Sequence, residues 1–187
     1  MINIGSKIPD MQFDAFQDDD TKKFKFSDFK NKWLVLIFYP ADFTFVCPTE
    51  LEEAAERYKE FKKLGAEVLS ISTDKVETHK AWHDTSDAIK KIEYPMVADP
   101  TAKLSKEFGV YIEEEGVALR GTFIIDPEGI LRAYEINHNS IGRNIGETLR
   151  KLQAAIYVRK HGDQVCPASW EPGDKTLKPG MDLVGKI

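Results

Sequence analysis

The chain has 187 residues, and 26 Lys and Arg against 31 Asp and Glu give a net charge of −5 at pH 7. At this length about 70% of the extended-chain surface can be buried, and 42% hydrophobic with 30% charged residues is the balance of a globular chain, which excludes disordered and fibrous classes. The acidic balance, without a Lys/Arg run longer than a pair, argues against nucleic acid and anionic membrane as partners, and two cysteines are too few to staple a fold this large, so their interest is chemical.

In chain order, Met1 to Lys7 lacks the apolar centre of a secretion signal, and a cytoplasmic location is expected. Residues 10–30 set Asp18-Asp19-Asp20 between aromatic stretches at Phe13–Phe16 and Phe24–Phe29, the pattern of an N-terminal hairpin with a solvated turn. Trp33–Tyr39 is apolar throughout and stops at Pro40; it reads as a central strand buried on both faces and is too short to cross a bilayer. From Pro48, Leu51, Ala54, Ala55, Tyr58, Phe61 and Leu64 recur at helical spacing up to Gly65, which predicts one helix with Pro48 in its first turn.

Glu67–Thr73 is then a second strand, completing a β-α-β unit. A helix over Val76–Lys91, a short strand over Met96–Ala98 and a helical turn over Ala102–Phe108 follow. Thr122–Asp126 and Ile130–Ile136 flank Pro127-Glu128-Gly129 and predict an antiparallel hairpin. A last helix spans Arg143–Lys160, and beyond His161 the chain turns rich in Gly and Pro and loses periodicity. The sum is an α/β fold with a mixed central sheet flanked by helices, an N-terminal hairpin and a C-terminal arm, divided as 1–160 and 161–187.

Cys47 stands where a loop leaving the buried strand meets the start of a helix. In open α/β sheets ligands bind there, and the unpaired N–H groups and dipole of a helix N-terminus stabilise a thiolate. A cysteine is as readily a small buried hydrophobe. Thiolate formation alone gains little rate, because nucleophilicity falls as the thiol becomes more acidic. A fast thiol enzyme therefore needs a nearby cation and donors for the leaving atom. His79 and His83 have the spacing of half a metal site but lack a third ligand, and Cys47-Pro48-Thr49-Glu50 lacks the second thiol of a Cys-x-x-Cys exchanger.

Three segments carry a family resemblance. Phe38 through Glu50, containing Pro40-Ala41-Asp42-Phe43-Thr44-Phe45-Val46-Cys47, resembles the Pro-x-x-x-Thr-x-x-Cys active-site motif of the peroxiredoxins. Gly116–Phe123 resembles their second signature, which contributes an arginine, here Arg120, and Gln164–Ala168 with Trp170 resembles the resolving segment of the typical two-cysteine class. The match runs in order to Ile187 and is most similar to the bacterial alkyl hydroperoxide reductase C branch.

The resemblance implies a thioredoxin-like fold and assigns roles. Cys47 would be the peroxidatic thiolate; Thr44, Arg120 and loop N–H groups would hold the peroxide; Pro40 would shield the thiolate. Glu50 and Arg143 would orient Arg120. Cys166 of the partner subunit would resolve the Cys47 sulfenic acid as an intersubunit disulfide, which requires the first turn of the helix to unwind.

The implied activity is reduction of hydrogen peroxide and organic hydroperoxides. No cofactor would be bound; electrons would come from NAD(P)H through a separate flavoprotein disulfide reductase of the alkyl hydroperoxide reductase F type, or from a thioredoxin. The implied assembly is a homodimer building a ring of five dimers. The alternative is a redox-sensing or chaperone-like binding protein using the same cysteines. Between Phe108 and Arg120 the chain lacks the Gly-Gly-Leu-Gly insertion of the oxidation-sensitive branch, and it ends without that branch's Tyr-Phe extension, so resolution is expected to outpace overoxidation.

Overall fold

The computed structural model describes residues 2–186; the two ends of the matched sequence, Met1 and Ile187, lie outside them. The chain packs as two units that divide between Ile145 and Gly146.

The first unit is built on a seven-stranded sheet. Its strands are β1 (Gln12–Gln17), β2 (Asp20–Lys25), β3 (Trp33–Phe38), β4 (Ala66–Ser72), β5 (Met96–Ala98), β8 (Arg120–Ile125) and β9 (Leu131–Asn137). The intervening β6 (Tyr111–Ile112) and β7 (Val117–Ala118) form a separate two-stranded ribbon. The order is β2-β1-β5-β4-β3-β8-β9, with β3, β4 and β5 parallel and the remaining pairs antiparallel, so the sheet is mixed as the alternation predicted.

The central position of β3 follows from its composition. All six of its side chains are buried, between β4 and β8. Leu34, Leu36 and Phe38 enter one core with Leu69, Ile71, Phe123 and Ile125. Phe108 lies against both Phe38 and Phe123, at ring separations of 5.3 and 4.9 Å. Rings tilted at this distance contribute about 0.5–1.5 kcal/mol each beyond area burial. The β1–β2 hairpin turns on Asp18 and Asp19, both at positive φ (53° and 59°), as a two-residue hairpin loop requires. The acidic triplet is thus the solvated turn that its charge suggested.

Two predicted helices differ from the structure. The helix expected over 48–64 divides into α1 (Cys47–Glu56) and α2 (Tyr58–Lys63) at Arg57. Hydrogen bonding continues across the kink, from Arg57 N–H to Glu53 and from Phe61 N–H to the Arg57 carbonyl, so the apolar periodicity survives it. The helix expected over 76–91 stops as α3 (Val76–Thr85): Ser86 is extended, and only a 3₁₀ turn, Ile89–Lys91, follows. The Thr85 hydroxyl turns back onto the Ala81 carbonyl, a local bond that competes with helix propagation. The helical turn near 102–108 is α4 (Lys103–Glu107). Helix α2 packs on β4, and α3 on β1 and β5.

The second unit contains α5 (Ile145–Lys160) from its second residue on, together with the Gly/Pro-rich segment. That segment is not loose. Trp170 is buried, packs at a tilt against the Tyr157 ring at 5.1 Å, donates its indole N–H to the Asp174 carbonyl (3.2 Å) and accepts at its own carbonyl from Arg150 (2.7 Å). Val165 and Leu177 exchange backbone hydrogen bonds of 2.8 and 3.0 Å. Glycine and proline set the turns here, and one tryptophan anchors them.

Candidate active site

The site lies beyond the carboxyl end of β3, where Tyr39 leads into the loop 40–46 and the loop delivers Cys47 as the first residue of α1. Val46, at the N-cap, gives no side-chain cap, and Pro48 occupies the first turn without an N–H to satisfy. The positive end of the helix is therefore presented to the Cys47 side chain. That side chain is fully buried.

Arg120 enters from the first position of β8 and places one guanidinium nitrogen 3.4 Å from the Cys47 sulfur. The same nitrogen donates to Glu50 Oε2 at 2.6 Å, and Nε donates to the Asn139 carbonyl at 2.9 Å. Glu50, one helical turn after Cys47, also accepts from Arg143: its Oε1 from the Arg143 backbone N–H (2.7 Å) and Nε (2.9 Å), its Oε2 from a terminal nitrogen (2.9 Å). Arg143 further donates to the Gly121 carbonyl at 3.0 Å. One carboxylate thus orients two arginines, one of which touches the sulfur.

All four groups are buried: Glu50 and Arg143 side chains are 2% and 1% exposed and Arg120 4%. Two guanidiniums and one carboxylate leave a positive charge beside Cys47, and a thiolate there brings the cluster to neutrality. In a medium that screens weakly, an unbalanced charge is costly, so the cluster is built to complement an anion on sulfur or on an attacked oxygen. Burial alone would raise the Glu50 carboxyl above the usual range. The hydrogen bonds and charge of Arg143, with the charge of Arg120, outweigh it and hold the carboxyl below that range.

The loop itself is braced by residues that sequence reasoning left out. Asp42 accepts from the Tyr39 hydroxyl (2.7 Å) and pairs with His79 Nδ1 (2.7 Å), while its own N–H donates to Asp74 (2.8 Å). His79 Nε2 meets the Val97 carbonyl at 3.1 Å. Both nitrogens of His79 are engaged within the protein, and His83 packs on Phe16, beside Asp19 and Asp84. The next residue, Phe43, is held at φ 56°, an uncommon conformation for a bulky side chain, and packs on Trp82 at 6.0 Å.

Thr44 donates its hydroxyl to the Ala41 carbonyl at 2.9 Å, closing a turn inside the loop, and Pro40 opens that loop, partly exposed. Gly142 borders the site: a β-carbon there would make ordinary contact with Val46 (3.4 Å) and Glu50 (4.0 Å). Asn139 and Gly121 act through backbone carbonyls, for which side-chain identity gives no signal.

In the second unit, Cys166 is partly buried, with its sulfur 4.0 Å from the Ala154 carbonyl of α5. Burial pushes its thiol up, and the charge of Arg150 offsets only part of that.

An α/β fold that seats a buried thiol at a helix start against an arginine–carboxylate–arginine cluster defines a thiol-based redox protein. Comparison with known proteins makes it specific. The AhpC/TSA family matches residues 4–134, and the C-terminal domain of 1-Cys peroxiredoxin matches residues 157–184. That second segment here contains Cys166.

Alkyl hydroperoxide reductase C of Pseudomonas aeruginosa is 50% identical over 98% of both chains, and that of Amphibacillus xylanus is 51% identical over 98% of both. Among solved structures, Enterococcus faecalis AhpC superposes with a TM-score of 0.87 at 47% identity, covering 89% of this chain and 100% of that one. Plasmodium vivax 2-Cys peroxiredoxin, in its reduced form, gives 0.91 at 33% identity, covering 96% of this chain and 94% of that one. The chain belongs to the AhpC/TSA family of peroxiredoxins. Its fold is the thioredoxin-like fold of these neighbours, as the resemblance implied.

Proposed function

We propose that the protein is a thiol-dependent peroxidase of the alkyl hydroperoxide reductase type, and that the contact of Arg120 with the Cys47 sulfur, 3.4 Å, is the observation that carries the chemistry. The Cys47 thiolate attacks the terminal oxygen of ROOH, the O–O bond breaks, and the departing RO⁻ takes a proton to leave as ROH, with water formed when R is hydrogen. Arg120 stabilises the charge that develops on the leaving oxygen, and Glu50 and Arg143 fix its direction. Thr44 completes the peroxide pocket from the loop, and Pro40 limits the access of water.

Cys47 is left as a sulfenic acid, which the partner subunit's Cys166 condenses to a disulfide with loss of water. A disulfide needs Cα atoms within about 7 Å, whereas Cys47 is sealed in the first turn of α1. Unwinding of that turn is therefore part of the cycle. The Cys166 segment must also leave α5, and the elevated thiol of Cys166 ionises more readily once it does.

This cycle uses two thiols and calls for no metal, haem or flavin resident on the chain. The two electrons come from NAD(P)H through a separate disulfide reductase, a flavoprotein of the alkyl hydroperoxide reductase F type or a thioredoxin. The homodimer, and a ring of five dimers, are proposed on the family resemblance. A cytoplasmic setting suits a cycle whose disulfides are continually reduced; among the described residues no helix is long and apolar enough to cross a membrane.

Non-reducing electrophoresis tests the scheme. Peroxide is expected to convert the chain to a covalent dimer that is absent in Cys166→Ser and in Cys47→Ser. An oxidised monomer overturns intersubunit resolution. The enzyme reading also requires continuous peroxide consumption with a dithiol donor; stoichiometric oxidation that then stops overturns it in favour of a sensor.

A further inference from the structure

At the end of the sheet remote from Cys47, where β3 begins and β8 ends, the first unit holds a cavity of about 240 Å³. Phe26, Phe29, Leu34 and Ile125 line it, all with buried side chains. Lys7, Lys30 and Lys32 stand around the same cavity and are exposed. None of the three makes an ion pair among the described residues.

The carboxylates nearby neutralise them only in part: the Asp10 carboxyl is held below its usual range by its Ser27 hydrogen bonds and also by the charges of Lys25 and Lys7. Asp126 is saturated: its Oδ1 accepts from the N–H groups of Glu128 (3.0 Å) and Ile130 (2.9 Å), and its Oδ2 from Arg132 (2.6 Å). Glu128 has a partner of its own. Asp10, which accepts from Ser27 N–H at 2.9 Å, is the remaining lining anion. An apolar floor under three lysines and one open carboxylate is complementary to a small molecule with an apolar body and one negative end. The volume holds roughly eight groups of water size at about 30 Å³ each.

We propose that this cavity is a second ligand site, separate from the peroxidase site, for a medium-chain monocarboxylate. The tail lies on Phe26, Phe29, Leu34 and Ile125, and the carboxylate lies among Lys7, Lys30 and Lys32. The lysines select the charge, and the depth of the apolar floor selects the length.

Calorimetric titration of the reduced full-length protein with sodium octanoate, octan-1-ol and octyltrimethylammonium tests it. Octanoate is expected to bind saturably and to outcompete the other two. The triple variant Lys7→Gln/Lys30→Gln/Lys32→Gln is expected to weaken octanoate roughly tenfold, the sum of three exposed charge contacts, with octanol and ligand-free peroxidase turnover unchanged. Equal binding of the cationic amphiphile, unchanged octanoate affinity in the triple variant, or no saturable binding overturns the proposal. A diazirine analogue of octanoate locates the site independently of any substitution: labels on residues 26–34 or 125–129 are expected, and labels confined elsewhere overturn it.

Discussion

Glu50→Gln keeps the size and shape of the side chain and removes one charge. The carboxylate accepts four hydrogen bonds, two at each oxygen, from Arg120 and Arg143. A carboxamide has one accepting oxygen, so its NH₂ faces two donors and two of the four bonds are lost. Hydrogen bonds to charged groups contribute about 1.5–3 kcal/mol each, and breaking a buried ion pair from one side costs about 3–5 kcal/mol in all. Two arginines stay buried without their counterion. We expect urea unfolding to report a loss of about 4 kcal/mol, a large part of the 5–15 kcal/mol of a typical domain, with the fold retained.

Arg120 also loses the bond that aims it at sulfur. Loss of one positioned charge donor reduces turnover by about 10²–10³, and stopped-flow peroxide consumption is expected to fall by that order. The wild type should lose more stability in acid than the variant, which keeps the other depressed carboxylates such as Asp126. Because the folded-state Glu50 carboxyl is depressed, its stabilisation is complete above the ordinary value near 4.5 and disappears as pH falls through the folded value. A variant within about 1 kcal/mol of wild type, with unchanged peroxide kinetics and the same acid profile, refutes the account of this cluster.

Three further outcomes follow from the packing. His79→Leu removes the Nδ1 partner of the buried Asp42 (2.7 Å) and leaves it the Tyr39 hydroxyl, so a stability loss of about 1–3 kcal/mol is expected by denaturant titration; an equally stable variant removes His79 from the loop's support. Gly121→Ala sets a β-carbon 2.8 Å from Val110 and 2.9 Å from Phe123, so overpacking should cost about 1–3 kcal/mol and disturb the carbonyl that receives Arg143; a fully active, equally stable variant contradicts the close approach. The segment between Phe108 and Arg120 is a two-residue ribbon pair, Tyr111–Ile112 with Val117–Ala118, and mass spectrometry at low peroxide during turnover should find disulfide at Cys47 with little sulfinate; substantial sulfinate overturns the expectation that resolution wins.

The sheet was legible because β3 is apolar at every position and its neighbours alternate with helical periods, so strand, crossover and hairpin each left a distinct pattern. Helix ends were not: nothing in the apolar spacing marks the kink at Arg57, where hydrogen bonding persists, or the stop after Thr85, where Ser86 turns extended. For the site, Cys47 announces itself by position and Arg120 by resemblance. Glu50 and Arg143 are named by the resemblance alone; by themselves they read as ordinary surface charges, because a separation of 93 positions carries no pairing signal. Asp42 and His79 were opaque for the same reason, since a buried pair between a loop and a helix face is a property of tertiary packing. In the arm, the Gly and Pro content goes with turns, and Trp170 holds them, an anchor that the loss of periodicity does not show.

The central claim is that Cys47 is a peroxide-reactive thiol made fast by Arg120. Rapid mixing of reduced Cys166→Ser protein with one equivalent of hydrogen peroxide, quenched with a sulfenic acid trap and read by mass spectrometry, tests it directly. The account predicts one oxygen added at Cys47, at a rate falling by about 10²–10³ when Arg120→Met is combined with Cys166→Ser. Oxidation at the same rate in both proteins, or oxygen found on a residue other than Cys47, contradicts it.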